Sequence, residues 1–135
     1  MTRPDLQPDA TTPAPPAVRF VTLEHLTGQE SHFDLMIDAG VTLATWQFVR
    51  PPDETPREGQ RCRRLPDHRR IYLDYEGPIS GDRGTVRRRD WGTCRTYQAD
   101  DSTWEVEFAG ERLRGRCRLQ RTAEAAGAWW FGPWP

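Results

Sequence analysis

Arg112-Leu113-Arg114-Gly115-Arg116-Cys117-Arg118-Leu119 alternates a guanidinium with a small or apolar side chain at every second position. A period of two is the mark of a strand with one face in a core and the other in water. The stretch therefore predicts a β-strand with Leu113, Gly115, Cys117 and Leu119 inward and a row of four arginines outward. Thr103 to Phe108 supplies its hairpin partner, with Ala109-Gly110-Glu111 as the turn between them. Such a row of arginines either tracks a phosphate backbone or forms a solvated outer face, and the second reading is favoured.

Working outward, the same pattern recurs. Ala128 to Phe131 reads as a closing strand, and Thr85 to Arg89 and Thr93 to Tyr97 as two strands joined through Asp90-Trp91-Gly92. Upstream, Arg19 to Glu24, Ser31 to Ile37 and Thr42 to Val49 carry the β-branched and aromatic residues of strands, with Asp38-Ala39-Gly40 as a turn. About eight short strands with regular turn signals predict a small, mainly β barrel or sandwich, mostly antiparallel, with little helix.

The chain has 135 residues, enough for one domain. Residues 1–17 hold Pro4, Pro8, Pro13, Pro15 and Pro16 among polar residues and read as a disordered arm, so the folded domain is expected at 18–135. Hydrophobic residues make up only 36%, which points to a compact core built on Trp, Phe, Leu and Val. Cys62, Cys94 and Cys117 are odd in number and lack a CxxC pair, which argues against a zinc ribbon and a disulfide scaffold. No signal segment or membrane span is read, and a cytoplasmic protein is expected.

Charge is unevenly placed. All 19 basic residues are arginine, and the segment 57–95 holds eleven of them against six acids, a surplus of five. Positive potential of this kind suits a polyanion such as a nucleic-acid end.

Chemistry concentrates in His25-Leu-Thr-Gly-Gln-Glu-Ser-His32-Phe-Asp34. On a strand, His32, Asp34 and Met36 share one face while Phe33, Leu35 and Ile37 take the other. His25 is expected at the end of the preceding strand, turned back beside them. Two imidazoles and a carboxylate suit Mn²⁺, Fe²⁺ or Zn²⁺ with positions left open. The hairpin that follows is expected to stack Trp46 or Phe48 near the site. The third histidine, His68, is expected to begin a strand on which Tyr72 shares a face with Arg70 and Asp74. The glycine-rich turn Gly77 to Gly84 would let backbone approach a ligand closely.

His25…His32-Phe-Asp34, Trp46, Asp67-His68-x-x-x-Tyr72-x-x-Tyr75-Glu76-Gly77, Gly84-Thr85-Val86, Gly92-Thr93 and Leu113-x-Gly115 together resemble the 3′-phosphoesterase domain of bacterial DNA ligase D and its stand-alone relatives. The resemblance implies a compact β-barrel and a Mn²⁺-dependent site that removes a 3′-ribonucleoside or 3′-phosphate before ligation. It implies His25, His32 and Asp34 as metal ligands, with His68 and Tyr72 at the scissile phosphate. Nucleic-acid 3′ ends are the implied partner, with ligase or other repair activity in a separate protein.

Two features depart from the family pattern. The ligand histidines are seven steps apart where six is usual, and Met36 stands where the family has an arginine that grips phosphate. Arg61, Arg63, Arg64 and Arg70 are the candidates to replace it. The alternative is a binding module that keeps the barrel and has lost turnover.

Overall fold

The computed structural model describes residues 13–134. Nine strands follow in chain order: β1 (Val18–Thr27), β2 (Glu30–Asp38), β3 (Leu43–Phe48), β4 (Gln60–His68), β5 (Gly77–Pro78), β6 (Thr85–Ala99), β7 (Thr103–Gly110), β8 (Arg114–Arg121) and β9 (Ala128–Pro133). They pair in the order β1-β2-β3-β4-β9-β8-β7-β6-β5, and β6 pairs again with β1. That second pairing closes eight strands into an antiparallel barrel, with β5 an added short strand. Closure leaves the eight-stranded wall without an unpaired edge. The expected mainly β barrel is therefore the observed one.

Of the arm expected at 1–17, residues 1–12 lie outside the described part, and 13–17 carry no regular secondary structure. Arg95 donates to the Pro15 carbonyl and ties this stretch to β6. Among the described residues no helix is long and apolar enough to cross a membrane. The three cysteines are free and buried.

The barrel interior is filled largely by aromatic rings. Trp46 meets Trp104 and Trp129 edge-on at 5.1 and 5.7 Å, and Phe48 meets Phe131 at 5.2 Å. Such edge-to-face contacts add to the burial energy of large rings. This corrects the expectation that Trp46 or Phe48 stacks near the histidines. In the β2–β3 register Leu35 faces Trp46 and Phe33 faces Phe48, all turned inward, whereas Asp34 and Met36 lie opposite Gln47 and Thr45 on the outer wall. A one-residue difference in parity sends a side chain through the sheet.

The two strands expected between Thr85 and Tyr97 are one continuous strand. Its pairing with β1 passes from Thr22↔Asp90 to Leu23↔Arg88, so Arg89 is an extra residue in a bulge. The bulge bends β6 without ending it, which the intervening Trp91-Gly92 had suggested. Beside it, Asp90 is fully buried and accepts from the backbone N–H groups of Trp91, Arg112 and Leu113 at 2.9, 2.9 and 2.8 Å. These bonds pin the β7–β8 turn onto β6. The β8 strand begins at Arg114, two residues later than expected, because Arg112 and Leu113 belong to that pinned turn.

The row of arginines on β8 is internally engaged. Arg118 pairs with Glu105 at 2.7 Å and Arg116 approaches Glu107 at 3.9 Å, each across the β7–β8 ladder. Arg114 donates to the Gly110 carbonyl and Arg112 to that of Arg89. This row is a self-paired outer face.

A second hydrophobic cluster lies outside the barrel. Val21, Leu23, Met36, Leu43 and Val86 form an apolar patch on the outer wall, and Leu73 packs on it with Tyr72, Tyr75 and Ile79. Those four come from a cover segment, residues 69–84, that holds the 3-10 helix Arg70–Leu73 and β5. Salt bridges Arg19–Asp74 at 2.6 Å and Arg70–Asp38 at 2.7 Å fasten it to the barrel.

Replacing Asp90 by alanine removes the acceptor for three N–H groups, each worth about 1–3 kcal/mol when left buried and unpaired. Urea denaturation of Asp90→Ala is expected to show a loss of at least about 3 kcal/mol; a loss below about 1 kcal/mol would contradict this account of the turn.

Candidate functional site

His25 and His32 are direct cross-strand partners on the β1–β2 hairpin. β1 runs on to Thr27, past the end expected at Glu24 or His25, and Thr27 pairs with Glu30 around a Gly28-Gln29 turn. The seven-step spacing is thus a consequence of a two-residue hairpin turn, for which Gly28 supplies a φ of +62°.

The donor atoms converge. His25 Nδ1 lies 3.0 Å from His32 Nε2, and His32 Nε2 lies 3.5 Å from Asp34 Oδ1. All three ligand atoms fall within 4.8 Å of one another. Bonds of about 2.0–2.2 Å to a shared ion, meeting at tetrahedral or right angles, would hold neighbouring donors roughly 3.0–3.6 Å apart. The spacing fits.

Burial supplies an independent test of that fit. Asp34 is 4% exposed, and its Oδ1 has no hydrogen-bond partner among the described residues. A buried carboxylate oxygen without a partner is costly unless a cation satisfies it. On the far side of the His25 ring, Nε2–H donates to the Arg83 carbonyl at 2.6 Å. That bond fixes the tautomer and leaves the Nδ1 lone pair aimed at His32 and Asp34.

Arg83 reaches His25 because the cover segment touches β1 at Gly84. A Cβ at that residue, where φ is +93°, would stand 2.0 Å from the Leu26 carbonyl oxygen. Only glycine fits there.

Next to the donors is a cleft of about 150 Å³ with His25, Asp34, His68, Tyr72 and Arg83 around it. Its floor is apolar, made by Leu23, Met36 and Val86. Met36 is 1% exposed and belongs to the outer-wall cluster. His68 ends β4, where a strand start was expected, and Tyr72 stands on the 3-10 helix that follows. The chain turns between them, and the rings meet edge-on at 6.0 Å. His68 Nδ1–H donates to the Pro66 carbonyl at 2.9 Å, so its Nε2 is the nitrogen left for a ligand.

The expected sharing of a face by Tyr72, Arg70 and Asp74 does not occur. A 3-10 helix turns them apart, and Arg70 and Asp74 form the two clamps to the barrel.

The other candidate arginines are spread out. Arg64 points into the barrel, with its guanidinium 4.4 Å from the Trp46 ring centroid and 5.6 Å from those of Trp104 and Trp129. Arg61 pairs with Glu124 at 2.8 Å on the surface. Arg63 lies on the outer wall in the register row Leu23, Asp34, Gln47, Arg63, and with Arg61 it lines a second cavity beside His32. The arginine at the cleft itself, Arg83, was missing from the sequence candidates. Its guanidinium is held by the Ser80 carbonyl and hydroxyl, with no carboxylate partner among the described residues. The signal was its position within the glycine-rich turn already read as a place of close backbone approach.

Cysteine chemistry is absent from the cleft, and burial pushes the Cys94 and Cys117 thiols up to about 12.

The family model of the DNA ligase D 3′-phosphoesterase domain matches residues 24–121. The match runs from the residue before His25 to the end of β8 and includes every lining residue of the cleft but Leu23. No curated protein matches the chain.

The clamps make a pH prediction. The hydrogen bond from Arg70 holds the Asp38 carboxyl below its usual value, and that from Arg19 does the same for Asp74. A carboxyl whose folded pKa is depressed contributes stability above its unfolded pKa of about 4 and loses it as pH falls through the folded value. Hydrogen exchange at the Tyr72 and Asp74 amides, corrected for intrinsic rates, should show constant protection from about pH 8 to pH 5 and a decline below about pH 4. The double variant Arg19→Met/Arg70→Met should lower protection at neutral pH. Protection that instead falls above pH 5 would contradict the clamp.

Proposed function

The chain belongs to the DNA ligase D 3′-phosphoesterase domain family, and from that premise we propose that it is a divalent-metal-dependent enzyme that trims nucleic-acid 3′ ends ahead of ligation. The reaction is removal of a terminal ribonucleoside or of a 3′-phosphate. The observation that carries this reading is the unpartnered, buried Asp34 Oδ1 beside two imidazole nitrogens, at the edge of a cleft that also holds His68 and Tyr72.

In this reading His25 Nδ1, His32 Nε2 and Asp34 Oδ1 hold the ion. Mn²⁺ accepts this mixed nitrogen and oxygen set, and when bound supplies Lewis-acid polarisation of a phosphoryl oxygen and an activated water. In hydrolysis the water oxygen bonds to phosphorus, the bond from phosphorus to the leaving oxygen breaks, and the leaving oxygen takes up a proton. A doubly protonated His68 would deliver that proton from Nε2 while Nδ1–H stays on the Pro66 carbonyl, and the proton given up by the attacking water passes to solvent. The Tyr72 hydroxyl donates to a phosphate oxygen. Arg83 takes the place that Met36 leaves without charge, offering a guanidinium from the cover segment where the family strand offers one from the floor. Gln47, Arg61 and Arg63 line the cavity on the other side of His32 and guide the strand.

The second reading, a nucleic-acid-end-binding module with weakened or lost turnover, rests on Met36. Its thioether closes the cleft floor and gives no cation there.

Purified protein with Mn²⁺ and a primer-template ending in a 3′-ribonucleotide or 3′-phosphate separates the two. The proposal expects conversion by the wild type and none by His25→Ala. For Arg83→Gln it expects a loss of roughly 10- to 100-fold, the worth of one charge-assisted contact. Salt-dependent binding of the same duplex without product would replace the enzyme with the binding module.

A further inference from the structure

The cleft has two unlike neighbours. Beyond His32 lies the cavity with Arg63 and the Glu124-paired Arg61, beside Gln47, Phe48 and Val49. Beyond Tyr72 lies a pocket of about 210 Å³ whose walls are mostly aromatic and aliphatic residues, with polar and apolar groups sharing its surface about equally. Ile71, Tyr72, Tyr75 and Ile79 form its walls, and Arg69 is its one cationic lining residue. Tyr72 and Ile79 line both this pocket and the cleft, so the two spaces adjoin.

The Tyr72 and Tyr75 rings stand at 90° with centroids 5.9 Å apart, forming an aromatic corner. The Tyr75 hydroxyl donates to the Pro78 carbonyl, which holds its ring in place. The Arg69 guanidinium lies 5.9 Å from the Tyr72 ring centroid. At the rim Ile71 is 60% exposed, a large apolar side chain with an open face.

We propose that this pocket, formed by Tyr72, Tyr75, Ile71, Ile79 and Arg69, receives the terminal nucleoside whose 5′ oxygen is the leaving group in the cleft. The inference rests on the proposed phosphoesterase activity and adds which side of the scissile phosphate each neighbouring space serves. A terminal nucleoside carries no further phosphate, so its site needs few cations and gains most from aromatic and aliphatic surface for the base. The strand on the other side carries a phosphate at every step and calls for the arginines beyond His32. A 3′-phosphate end has nothing to place in the aromatic pocket, so the pocket discriminates between the two kinds of end.

Adenosine 5′-monophosphate reproduces the leaving nucleoside with its 5′ phosphate, and inorganic phosphate reproduces the phosphate alone. Calorimetric titration of the Mn²⁺-loaded protein is expected to show adenosine 5′-monophosphate binding about tenfold or more tightly than phosphate, in line with stacking of one base. Ile71→Ser and Ile71→Ala, at an exposed rim position that the fold does not need, should each remove much of that difference and leave phosphate affinity unchanged. In turnover, both variants should slow removal of a 3′-ribonucleoside and spare removal of a 3′-phosphate. Equal affinity for the two probes, no binding of either, or variants that weaken both alike would overturn the pocket. A preserved difference in affinity without turnover would instead overturn the phosphoesterase reading and leave the pocket standing.

Discussion

Packing of Leu73, Tyr72, Tyr75 and Ile79 onto Val21, Leu23, Met36, Leu43 and Val86 determines where chemistry can occur in this protein. A closed barrel needs only its interior dry, and the outer wall is normally polar. Here β1 and β2 are apolar on both faces, because Phe20, Leu35 and Ile37 serve the interior while Val21, Leu23 and Met36 need cover outside. The cover segment meets that need, and in doing so excludes water from one side of Asp34. A carboxylate at the margin of two apolar layers, facing two imidazoles, is an environment that a cation relieves. The same segment brings Tyr72 and the Arg83 carbonyl to the site. Site and cover are therefore one construction.

The barrel was legible in the sequence because its signals are local. Period-two alternation in Arg112 to Leu119, turn residues such as Asp38-Ala39-Gly40, and the aromatic content of each strand depend on neighbours a few residues away. The pairing of His25 with His32 was legible for the same reason, being set by one hairpin. What failed required knowledge of contacts distant in sequence. Trp46 lies inside the barrel because of its parity with Leu35, and two-residue parity is lost once a register is guessed through a loop. Trp91-Gly92 looked like a break, yet the bulge at Arg89 and the buried Asp90 carry β6 through it. Tyr72 read as a strand residue, although a short 3-10 helix places it against His68.

The arginines show the same limit. Their abundance in residues 57–95 was plain, but abundance did not say which of them face a ligand. Arg64 serves the tryptophans of the interior and Arg70 a clamp, while Arg61 has a surface carboxylate partner. Arg83 gains its place from Gly84, whose close approach to Leu26 can be recognised only when β6 is set beside β1. Met36, the departure from the family pattern, now has a structural meaning: its side chain completes the outer-wall cluster.

The central claim is that Asp34, His25 and His32 form a preorganised cation site, and melting temperature with and without Mn²⁺ tests it most directly. A ligand that binds only the folded state raises stability by mass action, about 2.7 kcal/mol at a hundredfold excess over its dissociation constant. The wild type should therefore melt higher with Mn²⁺. Asp34→Asn removes the buried unpaired charge, so without metal it should melt at or above the wild-type temperature, and added Mn²⁺ should hardly move it. A wild type indifferent to Mn²⁺ and to other divalent transition metals, or an Asp34→Asn variant that responds as strongly as the wild type, would contradict the account.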